Sequence, residues 1–247
     1  MSMKEFKVKS FSELIQIFER FKNSNTYVFR GQADSSWKLL PKSGRPEFHK
    51  KYSKTLPEKG LFESWKRYAK HFLTKEPITD WDWLALAQHY GLATRLLDWT
   101  KNPLIAVYFA VMEKEDKDAS IFCYKLRDSN NPVETSPFDY SAFGVFFPSG
   151  LSARILSQRG IFTISGTPNI PLDKALENEL EKIVVKKESK EEILSSLDFF
   201  GINRLSIFQD LTSLSDYLND YLISADKKSL KRNIELELFS NNQAPMG

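Results

Sequence analysis

The chain of 247 residues carries 35 Lys and Arg against 32 Asp and Glu, a formal net charge of +3, with 41% apolar and 13% aromatic residues. So many large side chains exclude wholesale disorder, and so small a surplus of base excludes the concentrated basic footprint of an obligate nucleic-acid binder. Cys123 is the single cysteine, which leaves no intramolecular disulfide and no cysteine cluster for zinc or an iron–sulfur centre.

The N-terminal segment is charged and amphipathic and lacks the apolar core of a secretion signal. The longest apolar run, Leu104–Met112, is half of the roughly 18–20 residues needed to cross a bilayer. The expectation is a soluble cytoplasmic protein that makes no use of membranes.

Ser10 and Glu13 form a capping-box pattern ahead of Phe11, Leu14, Ile15, Phe18 and Phe21, which share one helical face. Residues 1–25 are therefore expected as an N-terminal helix packed on the domain. Thr26–Arg30 reads as a short strand stopped by Gly31, and Trp37–Pro46 as an extended loop. Leu61, Phe62, Trp65, Tyr68 and Phe72 mark a second helix. Asp80 is the expected cap of a third, which Gly91 ends. Asn102–Pro103 is a strong helix start, and the apolar run behind it predicts the buried centre of the domain.

Ala119–Leu126 alternates as a strand, and 127–150 carries prolines with little periodicity, as a long loop would. Ser152–Ser165 predicts a strand, with or without a short helix before it, Leu172–Leu180 a helix, and Lys182–Lys187 another strand. Ser189 and Glu192 form a second capping-box pattern, and a last helix follows Asp210. Residues 26–224 are expected as one domain and 225–247 as a tail, in which the run from Lys227 reads as a solvated face. The mixture predicts an α+β fold, with helices around a small, mainly antiparallel sheet.

Phosphate-loop, dinucleotide-fingerprint, zinc-protease and nucleophile-elbow motifs are all absent. His49, His71 and His89 have no ligand spacing between them, so no metal site is expected. Three polar clusters remain. Arg30, followed by Gly31 and Gln32, sits at the end of an apolar strand, where burial requires either an anionic ligand or an internal carboxylate. Gln88–Thr100 interleaves Gln88, His89, Tyr90, Arg95 and Asp98 with apolar neighbours. His89 is a candidate acid or base, Tyr90 a stacking surface, and Arg95 and Asp98 a pair if that turn is helical. In the third cluster Arg154 and Gln158 are four apart and share a face if helical.

Phe29-Arg30-Gly31 and the block Gln88–Ala110 resemble the signatures of the FRG domain family, with Ala93 standing where that family usually has proline. Arg154, Gln158, Gly160 and Phe162 resemble its third block, and Ile207–Leu211 its closing one, with Gln209 in place of proline. The family's occurrence in mobile-element and defence-like settings implies a toxin or anti-phage effector.

A strand ending in aromatic-Arg-Gly is also similar to the first motif of arginine-type ADP-ribosyltransferases. That likeness implies NAD as a substrate, with Arg30 on its phosphates, Tyr90 on the nicotinamide and His89 on ribose hydroxyls. Asp98 or another carboxylate would then stabilise the sugar cation. Those enzymes carry a late Glu-x-Glu after a strand, whereas Glu177-x-Glu179-x-Glu181 falls on an expected helix and Glu235-x-Glu237 in the tail. The expected site is thus His89, Tyr90 and Asp98 as catalytic groups, with Arg30, Gln32, Gln88, Arg95, Arg154 and Gln158 binding a nucleotide or other phosphate-bearing ligand. The alternative is a non-catalytic module for protein or nucleic acid, in which the same polar network is structural.

Overall fold

The computed structural model describes residues 3–126, 132–149, 160–176 and 178–224. Contacts divide the chain into two compact units, which meet between Asn203 and Arg204.

The first unit is built on one seven-stranded sheet, larger than the small sheet expected. Its strands are β1 (Lys4–Val8), β2 (Tyr27–Gln32), β3 (Leu96–Thr100), β4 (Ala119–Lys125), β5 (Phe143–Phe146), β6 (Gly160–Ser165) and β7 (Leu180–Val185), in the order β1-β7-β4-β2-β3-β6-β5. All neighbours are antiparallel except β1 and β7. The fold is α+β, with helices α1 (Phe11–Phe18), α2 (Pro46–His49), α3 (Glu58–Ala69), α4 (Asp80–His89), α5 (Pro103–Val111), α6 (Leu172–Ala175) and α7 (Lys190–Phe199) around that sheet.

Local chemistry accounts for most of these elements. Ser10 caps α1 by accepting from the Glu13 amide, and Asn102 caps α5 by accepting from the Leu104 amide, with Pro103 in its first turn. The cap of α4 is Thr79, whose hydroxyl accepts from the Asp82 amide, rather than Asp80. Gly91 ends α4 at φ +92°, and the Leu92 and Gly91 amides return to the Ala87 and Gln88 carbonyls as a Schellman motif.

Other expectations are corrected. Residues Lys4–Val8 precede the N-terminal helix as an edge strand. The helix expected over Leu172–Leu180 stops at Ala175, and Leu180 already belongs to β7. Ser189 does not close a capping box, because its hydroxyl donates to the Lys9 carbonyl at 2.8 Å.

One sheet face receives α5, and Gly31 is the reason it fits. A Cβ there would lie 1.9 Å from the Ala106 carbonyl oxygen and 2.7 Å from the Ala110 nitrogen. Phe29 packs edge-on against Phe18 and Phe21, which ties the same strand to the α1 region. Trp81, Leu84 and Ala85 of α4 pack on Leu96, Phe162 and Ile164. On the other face Val28, Leu97, Trp99, Phe122 and Tyr124 meet Leu39, Leu172 and Leu176. Lys190 is buried with its ammonium donating to the carbonyls of Ala33, Glu113 and Lys114 at 2.8–2.9 Å. Burial lowers its pKa below the ordinary lysine value.

The second unit contains α8 (Arg204–Phe208) and α9 (Leu211–Ser224), joined through Gln209 at φ +52°. Arg204 Nη2 meets Asp216 Oδ2 at 2.8 Å, and the Asp210 carboxylate accepts from the Ser213 amide at 2.7 Å. Among the described residues no helix is long and apolar enough to cross a membrane.

Candidate functional site: a cleft at a fork in the sheet

β2 and β3 share a single paired position, Phe29 with Thr100, although β2–β4 pairs over Tyr27–Gln32 and β3–β6 over Leu96–Thr100. Beyond that point the two strands part and the sheet forks. The opening is a cleft of about 300 Å³, lined by Arg30, Gln32, Gln88, His89 and Asp98 together with apolar walls from α5 and Phe162.

Arg30 closes the fork at its root. Its Nη1 donates to the Asp98 carbonyl oxygen at 2.8 Å and lies 2.7 Å from Asp98 Oδ2. Its Nε has no hydrogen-bond partner among the described residues. Gln88 Nε2 donates to the other Asp98 oxygen at 3.1 Å, and the Thr94 hydroxyl donates to Gln88 Oε1. Asp98 lines the cleft with 57% of its side-chain surface accessible. Burial pushes its carboxyl up, but the Arg30 charge and hydrogen bond, with Arg45 further off, outweigh this and hold it below the ordinary value.

Arg45 is the group the sequence reading missed. It follows the 3₁₀ turn Lys42–Gly44, and that loop is pinned on both sides. The Ser43 amide donates to the Thr94 carbonyl at 3.1 Å, and Lys42 Nζ donates to the Gly91 carbonyl at 2.9 Å. A Cβ on Gly44 would sit 1.8 Å from the Pro168 carbonyl oxygen, so the loop is seated closely there. The Arg45 guanidinium makes no hydrogen bond or ion pair with the described residues, and burial together with the neighbouring Arg30 charge lowers its pKa. The one signal for it was compositional: an arginine in a Pro/Gly loop beside Trp37, with no helical or strand face to belong to.

Trp37 and Gln32 complete the wall. Trp37 is 42% exposed on a rigid turn, where Asp34 Oδ1 accepts from the Ser36 amide at 2.9 Å and hydroxyl at 2.7 Å. Gln32 is buried and donates to the Lys38 carbonyl, while its Oε1 has no partner among the described residues. His89 lines the cleft and stands edge-on to Tyr90 at 4.9 Å. Tyr90 itself is 64% exposed and does not line the cleft.

Arg95 is elsewhere. Residues Leu96–Thr100 form a strand, in which positions three apart point to opposite faces, so the helical pairing of Arg95 with Asp98 does not occur. Arg95 instead meets Glu58 through Nε at 3.2 Å and Nη2 at 2.8 Å. It also donates to the Pro137 and Phe138 carbonyls and lies over the Phe138 ring at 5.0 Å. Arg154, Gln158, Glu177 and Glu235–Glu237 lie outside the described residues. Glu181, expected on a helix, lies in β7, where Arg20 engages it at 3.0 Å. Burial pushes the Cys123 thiol up, which makes it a poor nucleophile. Among the described residues no group of three or more His, Cys, Asp or Glu is placed to hold a metal ion.

Residues 25–119 match the family model described as the FRG domain. The match spans Phe29–Gly31 and Gln88–Ala110, and Arg45 and Trp37 fall inside it, whereas the Arg154 block and Ile207–Leu211 lie beyond it. No curated protein and no solved structure matches the chain.

Proposed function

We propose that the fork cleft of this chain, whose residues 25–119 match the FRG domain model, binds a nucleotide by its phosphates, with NAD the concrete candidate. One observation carries this reading. Arg45, a guanidinium without a hydrogen bond or ion pair among the described residues, lines the same cleft as Arg30. Burial first and the Arg30 charge second lower its pKa, against the opposing pull of Glu47 and Asp98. Two neighbouring cations, one on β2 and one after the Lys42–Gly44 turn, gain most when an anion arrives beside them, and guanidinium forks match phosphate oxygens. Gln88 and His89 supply hydrogen-bonding groups beside them, and Trp37 a face for a ring.

With NAD bound, cleavage of ADP-ribose from nicotinamide is the chemistry such a site would serve. The glycosidic carbon–nitrogen bond breaks, its electron pair leaves with nicotinamide, and positive charge develops on the ribose. A carboxylate lining the cleft stabilises that cation, and Asp98, ionised and accessible, is placed for this role. Water, or a hydroxyl or guanidinium of a target, completes hydrolysis or transfer, with His89 taking the proton released. The fold would then serve in the manner of an ADP-ribosyltransferase, and the cellular role in keeping with it is a toxin or anti-phage effector.

A second reading rests on the Arg30–Asp98–Gln88–Thr94 chain, whose members bond one another without a ligand. On that reading the network is structural and the domain is a non-catalytic binding module for a protein or nucleic acid. Incubation with NAD and measurement of free nicotinamide separates the two. Release that Asp98→Asn abolishes supports the enzyme, and no release from protein that binds NAD favours the module.

A further inference from the structure

A second cavity adjoins the fork cleft. It measures about 690 Å³ and is bounded by Lys38, Glu47, His49, Lys50, Asn169 and Pro171. It shares Gln32, Trp37 and Arg45 with the cleft. Each cavity falls in the range of about 300–1,000 Å³ typical of ligand pockets. The shared wall has the parts that the middle of a two-ring ligand requires. Arg45 is a cation there that makes no ion pair with the described residues, although Glu47 and Asp98 act on it from a distance, and Gln32 Oε1 is a buried acceptor without a partner among the described residues. Such an orphaned group calls for an explanation, and a ligand donor at the partition provides one.

Trp37 adds a third part. Its ring has no stacked aromatic or cation partner among the described residues. Its turn is nonetheless fixed, because the Ser35 amide donates to the Asp118 carbonyl at 2.7 Å and Lys182 Nζ donates to the Ser35 carbonyl at 2.9 Å. An exposed indole on a turn held by these hydrogen bonds loses little freedom when a planar ring settles on it. The outer cavity is also cationic in balance, with Lys38 and Lys50 against Glu47.

We infer that the two cavities are the halves of one site for a dinucleotide, with a ring in each and the linking pyrophosphate on the Arg45 wall beside Arg30. This rests on the nucleotide reading above and deepens it by making the second cavity part of the site and assigning one ring of the dinucleotide to each half. A mononucleotide fills one half and leaves the other to water.

Calorimetric titration with NAD, AMP and nicotinamide mononucleotide tests it. NAD binds at least about tenfold more tightly than either mononucleotide, the worth of one additional stacked ring. Trp37→Ala weakens NAD by a similar factor. Asn169→Trp, which crowds the outer cavity alone, brings NAD down to the level of the mononucleotide that occupies the fork cleft and leaves that mononucleotide unchanged. NAD binding no tighter than the better mononucleotide, or unaffected by Asn169→Trp, overturns the two-ring site while Arg45-dependent mononucleotide binding keeps the nucleotide reading. Absence of binding by all three overturns both. Circular dichroism of each variant establishes that the fold is retained, and Trp37→Phe, which keeps a ring, restores most of the NAD affinity lost in Trp37→Ala.

Discussion

Two arginine–carboxylate pairs draw on residues in and next to β3, and they do opposite things with the same chemistry. Arg95 and Glu58 are both closed off, with 12% and 10% of their side chains accessible, and carbonyls take further Arg95 donors. Arg30 is equally covered, but Asp98 is open to the cleft, Arg30 Nε has no partner among the described residues, and Arg45 brings a second positive charge nearby. A pair shut away from solvent, with its guanidinium bonded to a carboxylate and to carbonyls, ties elements together, although Glu58 Oε1 has no hydrogen-bond partner among the described residues. On the proposed reading, a pair with a spare Arg30 donor, an accessible carboxylate and a second cation nearby is suited to an anionic ligand.

The contrast is sharpest where loss of one partner leaves a buried charge alone. Arg95→Ala strands Glu58 and is expected to cost about 3–5 kcal/mol in urea unfolding, with nucleotide affinity per folded molecule unchanged. A loss below about 1 kcal/mol, as for exposed pairs, would break the distinction. Gly31→Ala comes next, because its methyl group would press on the α5 backbone. A loss of about 1–3 kcal/mol is expected, as for overpacked cores, together with weaker binding, since α5 also lines the cleft.

Asp98→Asn is expected to cost less than about 1 kcal/mol once solvent screening of so accessible a carboxylate is allowed for. Its pH dependence carries a sign. The folded pKa lies below the ordinary 3.8, so the stabilisation is present above that value and is lost as pH falls through the lower folded one. The gap between the unfolding free energies of wild type and Asp98→Asn should therefore close on acidification below 3.8. A gap that widens there would reverse the assignment. Arg45→Ala is the smallest in stability, within about 0.5 kcal/mol, because its guanidinium makes no hydrogen bond or ion pair with the described residues, yet it should be the most damaging to binding.

The parts legible from sequence were those governed by local chemistry. Asn102–Pro103 and Gly91 mark the ends of helices that the structure places there. Phe29, Arg30 and Gly31 prove to be three separate solutions on one strand: a ring for α1, a guanidinium for the fork, and an absent side chain for α5. β3 was hidden because Leu96 and Leu97 are buried on both faces, so the alternation that betrays a strand is missing. Short Phe143–Phe146 drowned in a proline-rich stretch, and Lys4–Val8 becomes a strand only by pairing with β7. Arg45 and Trp37 had no periodicity at all. Their place depends on Gly44 against Pro168 and on the Asp34 turn, which are long-range or conformational facts.

The central claim is that Arg30 and Arg45 together make an anion site that Arg95 does not share. Thermal unfolding with and without saturating NAD tests it most directly, on wild type, Arg45→Ala and Arg95→Ala, since a ligand of the native state raises Tm by mass action. The prediction is a ligand-dependent rise in wild type, the same rise from a lower starting Tm in Arg95→Ala, and none in Arg45→Ala. An equal rise in Arg45→Ala, or no rise in wild type, would contradict it.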